Sequence, residues 1–228
     1  MELILIEKKR EALDVVTFYF KSKPLISWTA GQYLIYSLDH QNQDVRGKMR
    51  FFTIASTPPE GKIAITTRID KNHPSTFKKT LNEMKIGQKI SAKGPDGNFV
   101  IEDPLEEYIF IAGGIGITPF RAILTKLTYE KSPAKINLLY SYSNEDIPFK
   151  KEFEQITKDN PNIKVNYFIS PVPVDANTIR KYVRNPKTPL YYISGPNTFV
   201  EELTLVVKSL GVEDKRIKHD FFHGYETI

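Results

Sequence analysis

The fold is decided by residues 108–119, Tyr108-Ile109-Phe110-Ile111-Ala112-Gly113-Gly114-Ile115-Gly116-Ile117-Thr118-Pro119. An apolar run ends in three glycines, and a proline follows where a helix can begin. Apolar residues then repeat at helical spacing at positions 120, 123, 124 and 127. The pattern predicts a buried strand, a glycine turn and an amphipathic helix.

The glycine turn is suited to an anionic ligand. Glycines let the backbone approach a ligand where a side chain would block it. The start of the following helix presents unpaired N–H groups, which can bind a pyrophosphate, and Pro119 costs nothing in that first turn. An ordinary tight strand–helix turn is the alternative interpretation, since short glycine motifs also occur without a ligand.

A second motif lies about sixty residues upstream, at Arg50-Phe51-Phe52-Thr53-Ile54-Ala55-Ser56. Alternate residues of a strand share a face, so Arg50 and Phe52 are expected to point the same way. An arginine forks onto a phosphate, and the faces of an aromatic ring pack on other rings. A strand that merely carries an arginine at its edge is the alternative interpretation.

Four motifs in the same order and spacing resemble the ferredoxin–NADP reductase family of flavoproteins, and together they cover essentially the whole chain. Arg50, Phe52 and Thr53 match the flavin motif, with Phe52 in place of the usual tyrosine. The nucleotide motif is matched by Gly113, Gly114, Gly116, Thr118 and Pro119, and the two remaining matches are Lys93-Gly94-Pro95-Asp96-Gly97-Asn98-Phe99 and Ser194-Gly195-Pro196.

The resemblance implies an FAD site on the first part of the chain. Arg50 would neutralise the pyrophosphate, and Thr53 would donate a hydrogen bond towards flavin N5. Ser75 and Thr76 open a helix whose N–H groups would face the same phosphates. The alternative for Ser75 is a simple helix cap, and both roles can hold at once. The full set of expected FAD contacts is Arg50, Phe51, Phe52, Thr53, Thr66, Thr67, Arg68, Ser75 and Thr76.

The resemblance also implies an NAD(P)H site on the second part of the chain. Its expected contacts are Gly113, Gly114, Gly116, Ile117, Thr118, Pro119, Ser194, Gly195 and Pro196. Ser194 stands where the family often has cysteine and would still position the nicotinamide. Thr118 would touch both cofactors across a cleft between two domains.

The C-terminal segment His219-Asp220-Phe221-Phe222-His223-Gly224-Tyr225 resembles the acidic–aromatic ending of family members. Phe222 would shield the flavin face, Asp220 would bring a carboxylate near the rings, and Tyr225 would contact the adenine end. A last edge strand with two core phenylalanines is the alternative. The residues expected to act in catalysis are Thr53, Ser194, Asp220 and Phe222.

The chain is expected to divide at Asp103-Pro104 into two domains. Short alternating segments separated by turns predict a six-stranded antiparallel FAD-binding barrel in residues 1–103, interrupted by a helix from Ser75 to Met84. Alternating strands and helices predict a doubly wound parallel sheet that binds NAD(P)H in residues 104–228.

The sequence gives only weak evidence for a preference between NADH and NADPH. The 2′-phosphate would fall near Ser141-Tyr142-Ser143-Asn144, where phosphate-binding proteins often place an arginine. No arginine is present there, and Glu145 and Asp146 follow. NADH is therefore slightly favoured. NADPH stays an alternative because Lys150 or Lys151 could reach the 2′-phosphate.

Composition narrows the class of protein. The 228 residues contain no cysteine, which rules out disulfides and cysteine-bound iron–sulfur clusters or zinc within this sequence. The four histidines have no metal-ligand spacing, so no metal site is expected. No apolar run approaches eighteen residues and the N-terminus lacks the pattern of a signal peptide, so a cytoplasmic protein without a transmembrane segment is expected.

Most of the net charge of +5 lies in residues 1–104. Such an excess would steer a small acidic electron carrier, a ferredoxin or flavodoxin, to the flavin domain, although a generic basic surface gives the same count. No motif or lysine block supports nucleic-acid binding.

The sequence thus predicts an FAD-dependent NAD(P)H reductase that passes electrons to a carrier. The alternative is a flavin-containing electron-transfer subunit of a larger complex. A subunit like that of dihydroorotate dehydrogenase is disfavoured because it needs cysteines, and a flavin-less binding protein is disfavoured by Arg50, Thr53 and the glycines. The electron acceptor, the direction of electron flow and the oligomeric state stay open.

Overall fold

A computed structural model describes residues 1–41, 43–70 and 75–220. The chain divides into two compact units, Met1–Val100 and Ile101–Ile228. The sequence placed the division at Asp103-Pro104. Each unit has its own sheet and is described separately.

The first unit is a six-stranded antiparallel half-barrel. Its strands are β1 (Glu2–Ala12), β2 (Val15–Lys23), β3 (Tyr33–Ser37), β4 (Met49–Thr53), β5 (Ile63–Arg68) and β6 (Lys89–Asp96). They are ordered β4-β3-β6-β1-β2-β5, with every pairing antiparallel. The edge strands β4 and β5 approach each other where the backbone N–H of Ala55 donates to the carbonyl of Ala64 at 2.9 Å.

One helix, α1 (Thr76–Glu83), packs its apolar side into this half-barrel. It buries Phe77 and Leu81 in the same core as the inward-facing aromatic and aliphatic residues of the strands. Ser75 caps the helix, since its hydroxyl oxygen accepts from the backbone N–H of Lys78 at 3.2 Å. The predicted cap is confirmed.

The second unit is a parallel sheet with helices on both faces. Its strands are β7 (Glu107–Gly113), β8 (Lys135–Tyr142), β9 (Ile163–Ile169), β10 (Leu190–Ser194) and β11 (Ile217–Asp220). Its helices are α2 (Thr118–Tyr129), α3 (Lys150–Asp159), α4 (Ala176–Tyr182) and α5 (Asn197–Ser209). The strands are ordered β11-β10-β7-β8-β9, with all pairings parallel.

The two faces of this sheet are covered by different helices. α4 and α5 pack on the face that carries Ile109 and Ile111. On the opposite face the ring of Phe110 lies 4.7 Å from that of Phe120 in α2, and the Tyr140 ring lies 6.4 Å from that of Phe153 in α3. The predicted antiparallel barrel followed by a doubly wound sheet is confirmed.

The strand order creates a switch point between β7 and β10. The chain moves outward in one direction through β8 and β9, and in the other through β10 and β11. In open α/β sheets, ligands bind beyond the carboxyl ends of the strands at such a point. Both glycine motifs of the second unit follow these two central strands.

Strand β1 extends well beyond its apolar residues. Apolar residues dominate only over Leu3–Ile6, but β1 continues to Ala12 because it pairs with β2 along its whole length. Glu7, Lys8, Lys9 and Arg10 are exposed, so their polarity concealed the strand from the apolar pattern. Across the described ranges, no helix is long and apolar enough to cross a membrane.

Candidate functional site

Arg50 is the one buried cation among the described residues of the first unit. It lies on β4 and is only 4% exposed. Its Nη1 donates to the carbonyl oxygens of Arg46, Gly47 and Met49 at 2.9, 2.8 and 2.7 Å. Its guanidinium carbon lies 5.3 Å from the centre of the Phe77 ring. Its Nε is buried and has no hydrogen-bond partner among the described residues, which leaves one donor for a ligand.

The Asp44 carboxylate joins Arg50 to the start of α1. Oδ1 accepts from Arg50 Nη2 at 3.0 Å and from the backbone N–H of Arg46 at 3.0 Å. Oδ2 accepts from Arg46 Nη2 at 3.1 Å and from the backbone N–H of Thr76 at 3.3 Å. Burial alone would raise the pKa of Asp44, but these hydrogen bonds and positive charges outweigh it and hold the pKa at about 2.

The Thr76 hydroxyl is fixed by two further contacts. The backbone N–H of Asp44 donates to Thr76 Oγ1 at 3.1 Å, and His40 Nε2 lies 3.0 Å from the same oxygen. His40 Nδ1 lies 2.7 Å from the carbonyl oxygen of Leu38, so we assign the ring proton to Nδ1. The hydroxyl of Thr76 then donates to His40 Nε2.

Four cations converge on this helix start. Lys78, on the first turn of α1, has its pKa lowered to about 8 by burial and by the positive charges of Arg46, Arg68 and Arg50. Asp70 acts weakly in the opposite direction. We call Arg46, Arg50, Arg68 and Lys78 the basic cluster. Burial is the larger cause of this low pKa and the neighbouring positive charges add to it, so a ligand carrying several negative charges would raise the pKa and favour the charged form of Lys78.

The two aromatic residues of the flavin motif lie on opposite faces of β4. Phe52 is 8% exposed and packs in the core, with its ring centre 5.8 Å from that of Tyr36 and 5.9 Å from that of Phe77. Phe51 is 38% exposed and meets Tyr33 edge-on at 5.7 Å. Phe52 therefore shares a face with Arg50, as expected, but presents little free ring surface.

The remaining predicted FAD contacts lie on or beside the two edge strands. Thr53 ends β4 and is buried opposite Tyr33 of β3. On β5, Thr66 shares a hydrogen bond with Thr17 at 2.8 Å, and Thr67 is also buried. Arg68 pairs with Asp14 at 2.9 Å. The predicted residues are thus gathered on β4, β5 and the start of α1, while their contacts with FAD stay a prediction.

The glycine loop of the second unit is shaped mainly by protein contacts. A Cβ at Gly116 would lie 2.4–2.5 Å from backbone atoms of Ser194 and Gly195, and one at Gly113 would lie 2.7–2.9 Å from the Phe199 ring. Gly114 differs, because its φ is +54° and a Cβ there would meet nothing within 4 Å. Two glycines of the motif allow close packing, and Gly114 borders open space.

This loop begins α2 through a short 3₁₀ turn, Gly114–Ile117. Thr118 and Pro119 occupy the first positions of α2 and are buried. The same packing joins the second motif, since a Cβ at Gly195 would lie 2.8 Å from the Phe199 ring and 3.3 Å from Gly113. The residues predicted for NAD(P)H on β7 and β10 are therefore brought together at the switch point.

Two of the predicted catalytic residues are adjacent. Ser194 ends β10 opposite Asp220 of β11, and its hydroxyl donates to Asp220 Oδ2 at 3.3 Å. Ser194 is buried. The sequence alternative of a last edge strand is observed as far as Asp220, while Phe222 and Tyr225 lie outside the described residues. Their predicted roles as lid and adenine contact stay predictions.

The start of α2 carries one arginine, but it is paired. Arg121 Nη2 lies 2.7 Å from Glu152 Oε1 of α3, and both side chains are largely buried. The Thr125 hydroxyl donates to the same carboxylate oxygen at 3.3 Å. Residues 143–146, after β8, are exposed and include Glu145 and Asp146.

Sequence reasoning missed Asp44, Arg46 and Lys78. None of them belongs to a motif, and all three are brought to Arg50 by the hairpin before β4 and by the packing of α1. Their one sequence signal is that Asp44 and Arg46 lie within six residues of Arg50.

Comparison with known proteins identifies both units. Residues 2–101 match the family model of the oxidoreductase FAD-binding domain, and residues 110–203 match that of the oxidoreductase NAD-binding domain. Flavohemoprotein A of Dictyostelium discoideum is 26% identical over 240 residues, which cover 97% of this chain and 60% of that protein. The F component of the Na(+)-translocating NADH-quinone reductase of Klebsiella pneumoniae is 30% identical over 200 residues, 77% of this chain and 49% of that component.

Solved structures agree on the fold. The cytochrome b5 reductase domain of Ulva prolifera nitrate reductase superposes with a TM-score of 0.84, at 20% identity, over 96% of each chain. Ferredoxin-NADP+ reductase of Plasmodium falciparum gives a TM-score of 0.79, at 20% identity, over 97% of this chain and 95% of that one. By contrast, this chain spans only about half to three fifths of the curated relatives described above.

The half-barrel, the parallel sheet and the two family models define an oxidoreductase with an FAD-binding and an NAD-binding domain. The chain belongs to the ferredoxin–NADP reductase-like family, as the four sequence motifs predicted.

Proposed function

We propose that this chain is an FAD-dependent NAD(P)H reductase. Residues 1–103 bind FAD, residues 104–228 bind the nicotinamide nucleotide, and electrons leave for a small acidic carrier such as a ferredoxin or flavodoxin. The basic excess of residues 1–104 supports the carrier, because it would steer an acidic protein to the flavin domain. A cytoplasmic location is part of the same proposal.

The basic cluster at the start of α1 carries this proposal. Arg50 offers a buried Nε–H that lacks a partner among the described residues, and burial together with the surrounding cations lowers the pKa of Lys78. Such a site favours a dianionic pyrophosphate, which bonds to guanidinium groups and to helix N–H groups. The residues present therefore fit FAD.

Each predicted residue has a separate task. Bound FAD supplies the ability to accept a hydride and to release electrons one at a time. Arg50 and the N–H of Thr76 hold the phosphates, and the Thr53 hydroxyl orients the ring edge. Gly114 lets the nucleotide approach the backbone at the switch point, and Ser194, held by Asp220, positions the nicotinamide.

NADH is the preferred nucleotide in this proposal. Arg121 is already paired with Glu152, and the exposed loop after β8 carries Glu145 and Asp146. Carboxylates there repel a 2′-phosphate and accept hydrogen bonds from the hydroxyls of an unphosphorylated ribose.

A second candidate function is an electron-transfer subunit. The matched relatives include a subunit of a Na(+)-translocating NADH-quinone reductase, and they are longer than the region that this chain matches. In that case the acceptor is a partner protein in a stable complex rather than a diffusing carrier.

The purified protein tests the proposal. We expect it to be yellow, to release FAD on denaturation and to be reduced faster by NADH than by NADPH in stopped-flow absorbance. Reduction of an added ferredoxin or flavodoxin supports the diffusing carrier, and co-purification of a stoichiometric partner supports the subunit. Protein that is colourless and ignores added FAD contradicts both functions.

A further inference from the structure

Asp44 occupies donors that a phosphate would use. One carboxylate oxygen faces Arg50 and the backbone of Arg46, and the other faces the Arg46 side chain and the N–H of Thr76. Forked guanidinium groups and helix N–H groups are the common protein ligands of phosphate oxygens. The two oxygens of Asp44 thus stand where two phosphate oxygens are expected.

The helix does not need this carboxylate as its cap. Ser75 already caps α1 through the N–H of Lys78. Thr76 N–H is an additional donor at the helix start, and it is occupied by a residue from a different segment, 32 positions earlier in the chain.

The segment that carries Asp44 is held by charge more than by apolar packing. Val45, the next residue, is fully exposed at 105%. The described contacts of the Asp44 carboxylate are hydrogen bonds and ion pairs with Arg46, Arg50 and Thr76. Contacts of this kind can be exchanged for those of another anion without opening the apolar core.

Resting on the FAD function proposed above, we propose that Asp44 is an internal substitute for the FAD pyrophosphate. It holds the basic cluster together in the flavin-free protein and gives up its donors when FAD binds.

The exchange has two opposite energetic consequences. In the flavin-free protein Asp44 neutralises part of the basic cluster and so stabilises the half-barrel. When FAD binds, Asp44 and the pyrophosphate are like charges that compete for the same N–H groups, so the carboxylate lowers FAD affinity. A residue that only shaped the site would instead raise both stability and affinity.

The test replaces Asp44→Asn in the whole chain and measures FAD binding by quenching of flavin fluorescence. Asp39→Asn is the matched control, because Asp39 lies in the same segment, pairs only with Lys48 among the contacts described for it and has an 87% exposed side chain. We expect Asp44→Asn to bind FAD about tenfold more tightly than the wild type, with a faster association rate. The flavin-free variant should melt at a lower temperature than the flavin-free wild type.

Asp44→Ser repeats the experiment with a shorter acceptor if the asparagine variant does not fold. Weaker FAD binding by the folded variant, or an affinity equal to that of the wild type, overturns the proposal. Wild-type protein that binds no FAD overturns the FAD function itself. A thermal-shift titration with inorganic pyrophosphate tests the exchange at Asp44 separately from the FAD function. Pyrophosphate should stabilise the flavin-free Asp44→Asn variant more than the flavin-free wild type. An equal shift of the two melting temperatures overturns the exchange.

Discussion

The two candidate nucleotide sites of this protein are formed by different kinds of chemical group. The site on the half-barrel consists of charged side chains, with the basic cluster around the start of α1 and Asp44 among them. The site on the parallel sheet consists of backbone, with Gly113, Gly116 and Gly195 packed so closely that a methyl group would collide with neighbouring atoms.

This difference separates two ways of recognising a dinucleotide. Electrostatic attraction acts over several ångströms, is screened by salt and is lost when a cation is deprotonated. The affinity of the half-barrel site should therefore depend on pH and ionic strength. Close packing acts over tenths of an ångström and is insensitive to both, so the sheet site should respond mainly to side-chain volume.

Replacing the central cation is expected to have the largest effect. Arg50→Ala leaves Asp44 without a buried partner, and breaking a buried ion pair costs about 3–5 kcal/mol, with the lower end expected here because Asp44 is partly exposed. FAD affinity should fall about tenfold to a hundredfold, because a charge-assisted contact is lost. Urea unfolding and fluorescence titration measure the two effects.

Arg10→Ala is the control for the loss of one positive charge, since Arg10 is exposed on β1. We expect that variant to match the wild type in stability and in FAD affinity. If Arg50→Ala resembles the control, the half-barrel site is not organised by charge.

The sheet site is tested by adding one methyl group. Gly116→Ala places a Cβ against the backbone of Ser194 and Gly195, and such overpacking costs about 1–3 kcal/mol. The displaced backbone should also weaken NADH binding, and neither effect should change with salt. Gly114→Asn is the matched control for stability alone, because asparagine tolerates a positive φ and the space beside Gly114 is open. Equal unfolding free energies of the two variants would show that close packing does not shape this loop.

The smallest expected effect is the pH dependence caused by Lys78. Its pKa of about 8 in the folded protein lies below the ordinary value of 10.5, so the unfolded chain binds more protons between these values. The stability of the flavin-free protein should therefore gain a contribution as pH rises through this window. FAD affinity should fall over the same rise, by up to about tenfold, because Lys78 loses the charge that attracts the pyrophosphate.

Lys78→Met should remove this pH dependence of FAD affinity between pH 8 and 10, whereas Lys79→Met, at an exposed neighbouring position, should keep it. Titrations of FAD at three pH values are sufficient. An unchanged slope in Lys78→Met would place Lys78 outside the phosphate site.

The family and both folds could be predicted from the sequence because their signals are local. Alternation of apolar residues marked the strands of the half-barrel, and the run ending in Gly113, Gly114 and Gly116 marked the central strand and helix of the parallel sheet. Ser75 was predicted as a cap because the preference for serine at a helix start depends on its immediate neighbours.

What the tertiary structure decided is which distant residues share one site. Asp44 and Lys78 are 34 positions apart and belong to no motif, yet the hairpin before β4 and the packing of α1 bring them both to Arg50. The packing of Phe52 against Tyr36 and Phe77 likewise depends on three separate elements. Periodicity and capping act between neighbours in sequence, whereas charge and packing depend on distance in space, so the sequence by itself determined the class of protein and the fold determined how its cations are arranged.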